Sequence, residues 1–118
     1  MRNLFLSLLL LFPLIAKAQW TNEQKILAGV ALTAMVIDYG QTRQIALHPE
    51  KWSELNPLLP KKPSLADINR HFIIMPIVTY VALDHLPSEY RTVALYVITA
   101  MQVAVVANNY RIGVRISF

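Results

Sequence analysis

Hydrophobic positions along the chain gather into four runs, set apart by polar breaks that carry most of the prolines. The first, Leu4 to Ile15, is interrupted only by Ser7 and Pro13; it follows the basic start Met1-Arg2-Asn3 and precedes an A-x-A site, Ala16-Lys17-Ala18. That order predicts a cleaved signal peptide over 1–18, with the mature chain beginning at Gln19. Twelve positions fall short of the roughly 20 apolar residues that a spanning helix needs. If the segment stays attached, the chain has four hydrophobic segments in place of three.

Thr21-Asn22-Glu23-Gln24 is a capping box, and it predicts a helix over 22–47 that carries the apolar run Ile26 to Ile37 and stops before His48-Pro49. Ser64 with Asp67 at the third helical position predicts a second helix, whose apolar run Phe72 to Leu83 contains Pro76. A proline inside a helix is tolerated in a membrane when neighbours satisfy the freed carbonyl. Ser88, Arg91 and Thr92 open a third helix, with Gln102 the one strongly polar residue between Thr92 and Ala107 and Asn108-Asn109 at its end. Between the first two helices, residues 48–63 (HPEKWSELNPLLPKKP) hold four prolines and form a loop. The fold expected is all-α: an integral membrane three-helix bundle in a single domain, 19–118, after the signal peptide.

Composition strengthens the membrane reading. Of 118 residues, 55% are hydrophobic and 15% charged, where soluble domains average about 25% charged. The absence of cysteine excludes a disulfide framework, a thiolate nucleophile and a cysteine zinc site. The net charge of +4 comes without an aromatic-interleaved basic patch, so lipid headgroups are the expected partner and nucleic acid is not. Arg43, Lys51, Lys61, Lys62, Arg70, Arg111 and Arg115 fall on one side of the predicted spans, and Lys25 and Arg91 on the other. The positive-inside rule then puts the 48–63 loop and the C-terminus in the cytoplasm of a bacterial inner membrane and the N-terminus in the periplasm, as a cleaved signal also requires. Trp20 and Trp52 are expected as interface anchors, one at each surface, together with Arg43, Arg70, Arg111 and Arg115.

Asp38, Gln41, Thr42 and Ile45 share one helix face, and a carboxylate at membrane depth is costly unless partnered. The topology brings that face to the same depth as Asn69 and His71 of the second helix and Asn108 and Asn109 of the third. With Glu54 and Asn56 of the loop, these residues are expected to form one polar cluster, read first as hydrogen-bonded glue between helices. His48, Glu54, His71 and Asp38 have no recognised metal spacing. The serines and glycines form neither a nucleophile elbow nor a phosphate loop, so no catalytic, metal or cofactor site is expected. The small residues at 28, 29, 31 and 34 suit close helix approach.

From Tyr110 to Phe118 apolar and polar residues alternate. The alternation resembles the last strand of an outer-membrane barrel, but the continuous apolar runs elsewhere argue against a barrel. A basic amphipathic tail lying on the inner leaflet, or pairing with a neighbouring copy, is the expectation.

The segments D-Y-G-Q-T-R-Q-I-A-L-H-P-E (38–50), E-L-N-P-L-L-P (54–60), P-S (63–64), N-R-H-F (69–72), L-P (86–87) and N-N-Y-R-I-G (108–113) resemble small helical membrane proteins of tailed phages and bacterial prophages. The resemblance implies a small helical membrane protein in a phage setting and brings no activity with it. It puts Asp38, Gln41, Thr42, Glu54, Asn56, Pro57, Asn69 and Asn108 among the motif positions. The function expected is a non-enzymatic interaction or structural factor in host takeover or superinfection exclusion, partnered by the bilayer and by a second copy or another membrane protein. The alternatives are a holin-like pore and, third, a membrane-embedded enzyme or ion carrier using Asp38.

Overall fold

A helix start leaves its first backbone N–H groups without partners, and two of the three helices here begin where side chains supply them. The computed structural model describes residues 19–118, so the signal-peptide reading of 1–18 lies outside the described residues. At the start of α1 (Asn22–Leu47) the Thr21 hydroxyl accepts from Gln24 N at 3.1 Å, and the Gln24 side chain accepts from Thr21 N at 3.0 Å. Ser64 and Asp67 repeat the exchange for α2 (Leu65–Asp84), at 3.1 and 3.0 Å. Asp67 stands more than a turn before the apolar run of α2, and the Ser64 backbone N–H holds its carboxyl below the usual range. That cap contributes above the unfolded pKa and fades as pH falls through the lower folded value. α3 (Ser88–Arg111) has no side-chain cap; Pro87, at φ −54°, directs the chain into it.

The contacts fix the arrangement. Gln24 meets Ser88 and Thr92 near the starts of α1 and α3, while Gln41 meets Val106 and Asn109 near their ends, so α1 and α3 run parallel. Trp20 meets Asp84 and Tyr39 meets Asn69, so α2 runs antiparallel to α1. α1 packs on α3 much more extensively than on α2. Beyond α3, Gly113 takes a left-handed φ of +98° and turns the chain. The tail then folds back over α1: Val114 is fully buried, Ser117 N donates to Gly40 O at 3.0 Å and Arg43 Nε donates to Ser117 O at 3.1 Å. The alternating tail forms no strand: it lies over α1 with Val114 buried, while Ile112, Ile116 and Phe118 stay exposed.

The described residues contain three helices and no strand, as expected. Of the three, α3 alone combines the length and the apolar composition to cross a membrane. α1 and α2 are about 39 and 30 Å long at 1.5 Å per residue, but Asp38 to Gln44 and Asn69 to His71 interrupt their apolar character. Composition thus marks one span where three were expected. The interior is mixed: Ala31, Ala34, Ile45, Ile68, Leu83, Leu95 and Val114 are buried together with Gln24, Gln41, Thr42, Asp84, Arg91 and Asn109, while Ile26, Val30, Ile73, Val78, Val93 and Met101 are among many large apolar residues that face outward.

Candidate functional site

Two buried polar layers hold α1 to its neighbours. The first lies toward the C-terminal ends of α1 and α3. Asp38 Oδ2 accepts from Gln102 Nε2 at 2.7 Å, and Oδ1 accepts from Thr42 Oγ1 at 3.0 Å and Asn109 Nδ2 at 3.5 Å. One turn on, Gln41 Nε2 donates to Val106 O at 3.2 Å and its Oε1 accepts from Asn109 Nδ2 at 3.1 Å. Asn109 joins both residues. Both Asp38 oxygens are engaged by neutral donors, which makes the layer a crosslink between two helices.

The structure brings Asp38, Gln41, Thr42 and Asn109 together as expected and adds a partner that was not foreseen: Gln102, seven residues before Asn109 on the same face of α3, stands where Asn108 and the loop were expected. Asn108 accepts from Arg111 Nη2 at 2.9 Å at the exposed end of α3. Asn69 accepts from the Tyr39 hydroxyl at 2.6 Å, and His71 Nε2 lies 3.4 Å from Asn56 Nδ2. Glu54 stays in its loop, where Oε1 accepts from Leu55 N and Asn56 N at 3.1 and 3.0 Å, and its buried Oε2 has no partner. The expected single cluster is therefore a two-helix layer with a separate Tyr39–Asn69 pair and a self-bonded loop.

That loop is well specified. Glu54 N donates to Lys61 O at 2.8 Å, Asn56 Oδ1 accepts from Leu58 N at 2.9 Å, and Lys62 Nζ donates to Pro49 O and Trp52 O. It presents Leu55 and Leu58 outward, 79% and 66% exposed, beside Trp52, over which Lys51 sits at 5.6 Å.

The second layer closes the opposite end and was not foreseen. Gln24 is fully buried; its Nε2 reaches Ser88 O, Ser88 Oγ and Thr92 Oγ1 at 2.9, 3.0 and 2.9 Å. Arg91, 2% exposed, donates to Leu83 O, Leu86 O, Asp84 O, Gln19 O and Gln24 Oε1 at 2.6–3.4 Å. Its guanidinium lies 5.3 Å from the Trp20 ring, which stacks on Tyr80 and donates to Asp84 Oδ1 at 2.8 Å. Trp20, expected as an interface anchor, is half-buried in this network. An arginine three residues into α3, ahead of a long stretch with no further charge before Arg111, was the available signal. Of the remaining anchors, Arg43 reaches the tail, Arg115 lies 3.9 Å over the Tyr110 ring, and Trp52, Arg70 and Arg111 lie at the loop end of the molecule.

Replacing Asp38 by Asn keeps one accepting oxygen and lets the Thr42 hydroxyl reverse. The expected loss is about 1 kcal/mol, the scale of one exchanged hydrogen bond, read as loss of helical ellipticity during denaturant titration in micelles. A loss above about 3 kcal/mol would show that the negative charge itself holds the layer.

Among the described residues, no three His, Cys, Asp or Glu side chains come together as a metal site. No family model, curated protein or solved structure matches the chain, so its reading rests on its own residues and geometry.

Proposed function

We propose that the chain is a small polytopic inner-membrane protein that acts as a non-enzymatic interaction factor. The observation that carries this reading is the extensive outward apolar surface, Ile26, Val30, Ile73, Val78, Val93 and Met101 among it, around an interior that takes in Gln24, Gln41, Thr42, Asp84, Arg91 and Asn109 as well as apolar residues. In water such a surface is an aggregation hazard, whereas in lipid it is the solvated face and interior hydrogen bonds hold the helices. The span of α3 supports it, and in this reading α1 and α2 cross beside it with their polar positions turned inward. The ordered 48–63 loop, with exposed Leu55 and Leu58 on a basic cytoplasmic end, is the docking element for a partner protein in host takeover or superinfection exclusion. The phage setting comes from the sequence resemblance alone.

The test is expression of the full chain in a bacterial host, with alkaline carbonate extraction of the membranes and a periplasm-active phosphatase fused after Phe118. The expected result is retention in the inner-membrane pellet, no phosphatase activity and an undisturbed membrane potential. Release by carbonate refutes the membrane reading, phosphatase activity refutes the topology, and abrupt depolarisation replaces the interaction factor with a pore.

A further inference from the structure

Trp20, just before α1, bonds to Asp84 at one end of α2, and Tyr39 of α1 bonds to Asn69 at the other. Between these bonds the facing side chains are apolar, and Pro76 lies midway along α2. The result is a groove in two sections. One, of about 420 Å³, is walled by Leu32, Met35, Tyr39, Asn69, Phe72 and Pro76. The other, of about 260 Å³, runs past Ala28, Ala31, Ile77, Tyr80 and Leu83 to Trp20. Leu32, Met35 and Pro76 border both sections, so the two adjoin, and Leu95 and Ile98 of α3 complete the wall of the second. From Asn69 to Leu83 the groove follows α2 for about 21 Å at 1.5 Å per residue, more than half of a roughly 30 Å hydrocarbon core.

The two ends differ chemically. At the Tyr39 end, Arg43 lies one turn beyond Tyr39 on α1, 5.9 Å from its ring. Its Nε is engaged by Ser117 O, which leaves the terminal nitrogens as donors. Arg70 lies one turn before Ile73 on α2; its exposed side chain meets only Asp67, at 4.0 Å. Asn69 uses its carbonyl oxygen for Tyr39 and keeps its amide N–H groups. That whole end of the molecule, residues 43–71 with the tail, carries seven Lys and Arg against Glu50, Glu54 and Asp67. The opposite end, around Glu23, Lys25, Asp84, Glu89 and Arg91, carries no such excess, and its arginine is buried in hydrogen bonds.

An apolar channel about one leaflet long, ending at exposed cations and amide donors, matches one class of molecule. We propose that the α1–α2 groove seats an acyl chain of an anionic phospholipid, with the phosphate headgroup held at Arg43 and Arg70 on the cytoplasmic side. This assignment rests on the membrane reading above and adds a specific lipid partner to it. The groove supplies the apolar walls, and the two arginines supply discrimination by charge.

The full chain, reconstituted in phosphatidylcholine vesicles, is probed with phosphatidylglycerol or phosphatidylcholine carrying a mid-chain spin label. The expected result is a motionally restricted component with about fivefold preference for phosphatidylglycerol, the scale of one interfacial arginine. Arg70→Gln should remove most of that preference. Leu32→Trp, at an outward position bordering both sections, should fill the groove and abolish the preference with helix content unchanged. Equal restriction of the two lipids overturns the proposal, as does a preference that survives Leu32→Trp, which would place anionic lipid on the basic surface alone. Carbonate extraction of the same vesicles separates the two levels: a protein that washes off fails the membrane reading, and one that stays but shows no preference fails the groove alone.

Discussion

Arg91→Met should lower the unfolding free energy in micelles by about 3–5 kcal/mol, the largest effect expected of any single change in this chain. The guanidinium is 2% exposed and closes the C-terminal end of α2, donating to Leu83 O at 2.8 Å, Asp84 O at 3.4 Å and Leu86 O at 2.6 Å. Leu83 O, which also accepts from Leu86 N at 3.1 Å, and Asp84 O belong to the last turn of α2, at the negative pole of its dipole, and Leu86 O lies two residues beyond, so a cation there is favoured. The same group reaches Gln19 O and Gln24 Oε1 and tethers the start of α1. Methionine fills similar space but supplies no donor, leaving several buried acceptors unpaired at about 1–3 kcal/mol each. Arg91→Lys restores the charge with three donors in place of five and should recover only part of the loss. Denaturant titration of both variants is the measurement; a loss below about 1 kcal/mol for Arg91→Met would mean that water takes over the carbonyls.

Gly40→Val should release the C-terminal tail, at a cost of about 1–3 kcal/mol from overpacking. A Cβ built at Gly40 would stand 2.7 Å from Ile116 Cγ2 and 2.8 Å from Phe118 Cζ, closer than packed carbons approach. The Phe118 ring can swing away, but Ile116 is held beside Ser117, whose backbone bonds to Gly40 and Arg43. The branched side chain must therefore lift the strip from 116 to 118. Tryptic cleavage after Arg115 should quicken at least tenfold in the variant while the helices stay protected. Unchanged cleavage would show that the tail adjusts sideways and that Gly40 is not its seat.

Helix positions were legible in the chain because their signals are local. The capping boxes at Thr21 and Ser64 and the break at His48-Pro49 place α1 over 22–47 and start α2 after Ser64, as the structure has them. The polar face of α1 was also legible, since spacing alone puts Asp38, Gln41 and Thr42 together. Its partners were legible in part: Asn108 and Asn109 stood at the right depth, but helix rotation decides which of the two points inward, and adjacent positions lie about 100° apart. The i, i+7 pair Gln102 and Asn109 carried that information and was read as two separate features. Arg91 was counted for topology as a flanking charge, although a guanidinium three residues into a helix can reach back to the carbonyls ending the preceding one. Tail docking depends on a close approach at Gly40, and no pattern within 110–118 specifies it.

The crosslink at Asp38 also sets an order of events during synthesis. Its partner Gln102 lies 64 residues later in the chain, and Gln41 waits for Asn109, 68 residues on. α1 forms within microseconds, whereas translation at about 5–20 residues per second takes roughly 3–14 s to deliver α3. Throughout that interval Asp38 has only Thr42 of its own helix as a partner and Gln41 has none from α3, and any chain released before residue 102 stays in that state.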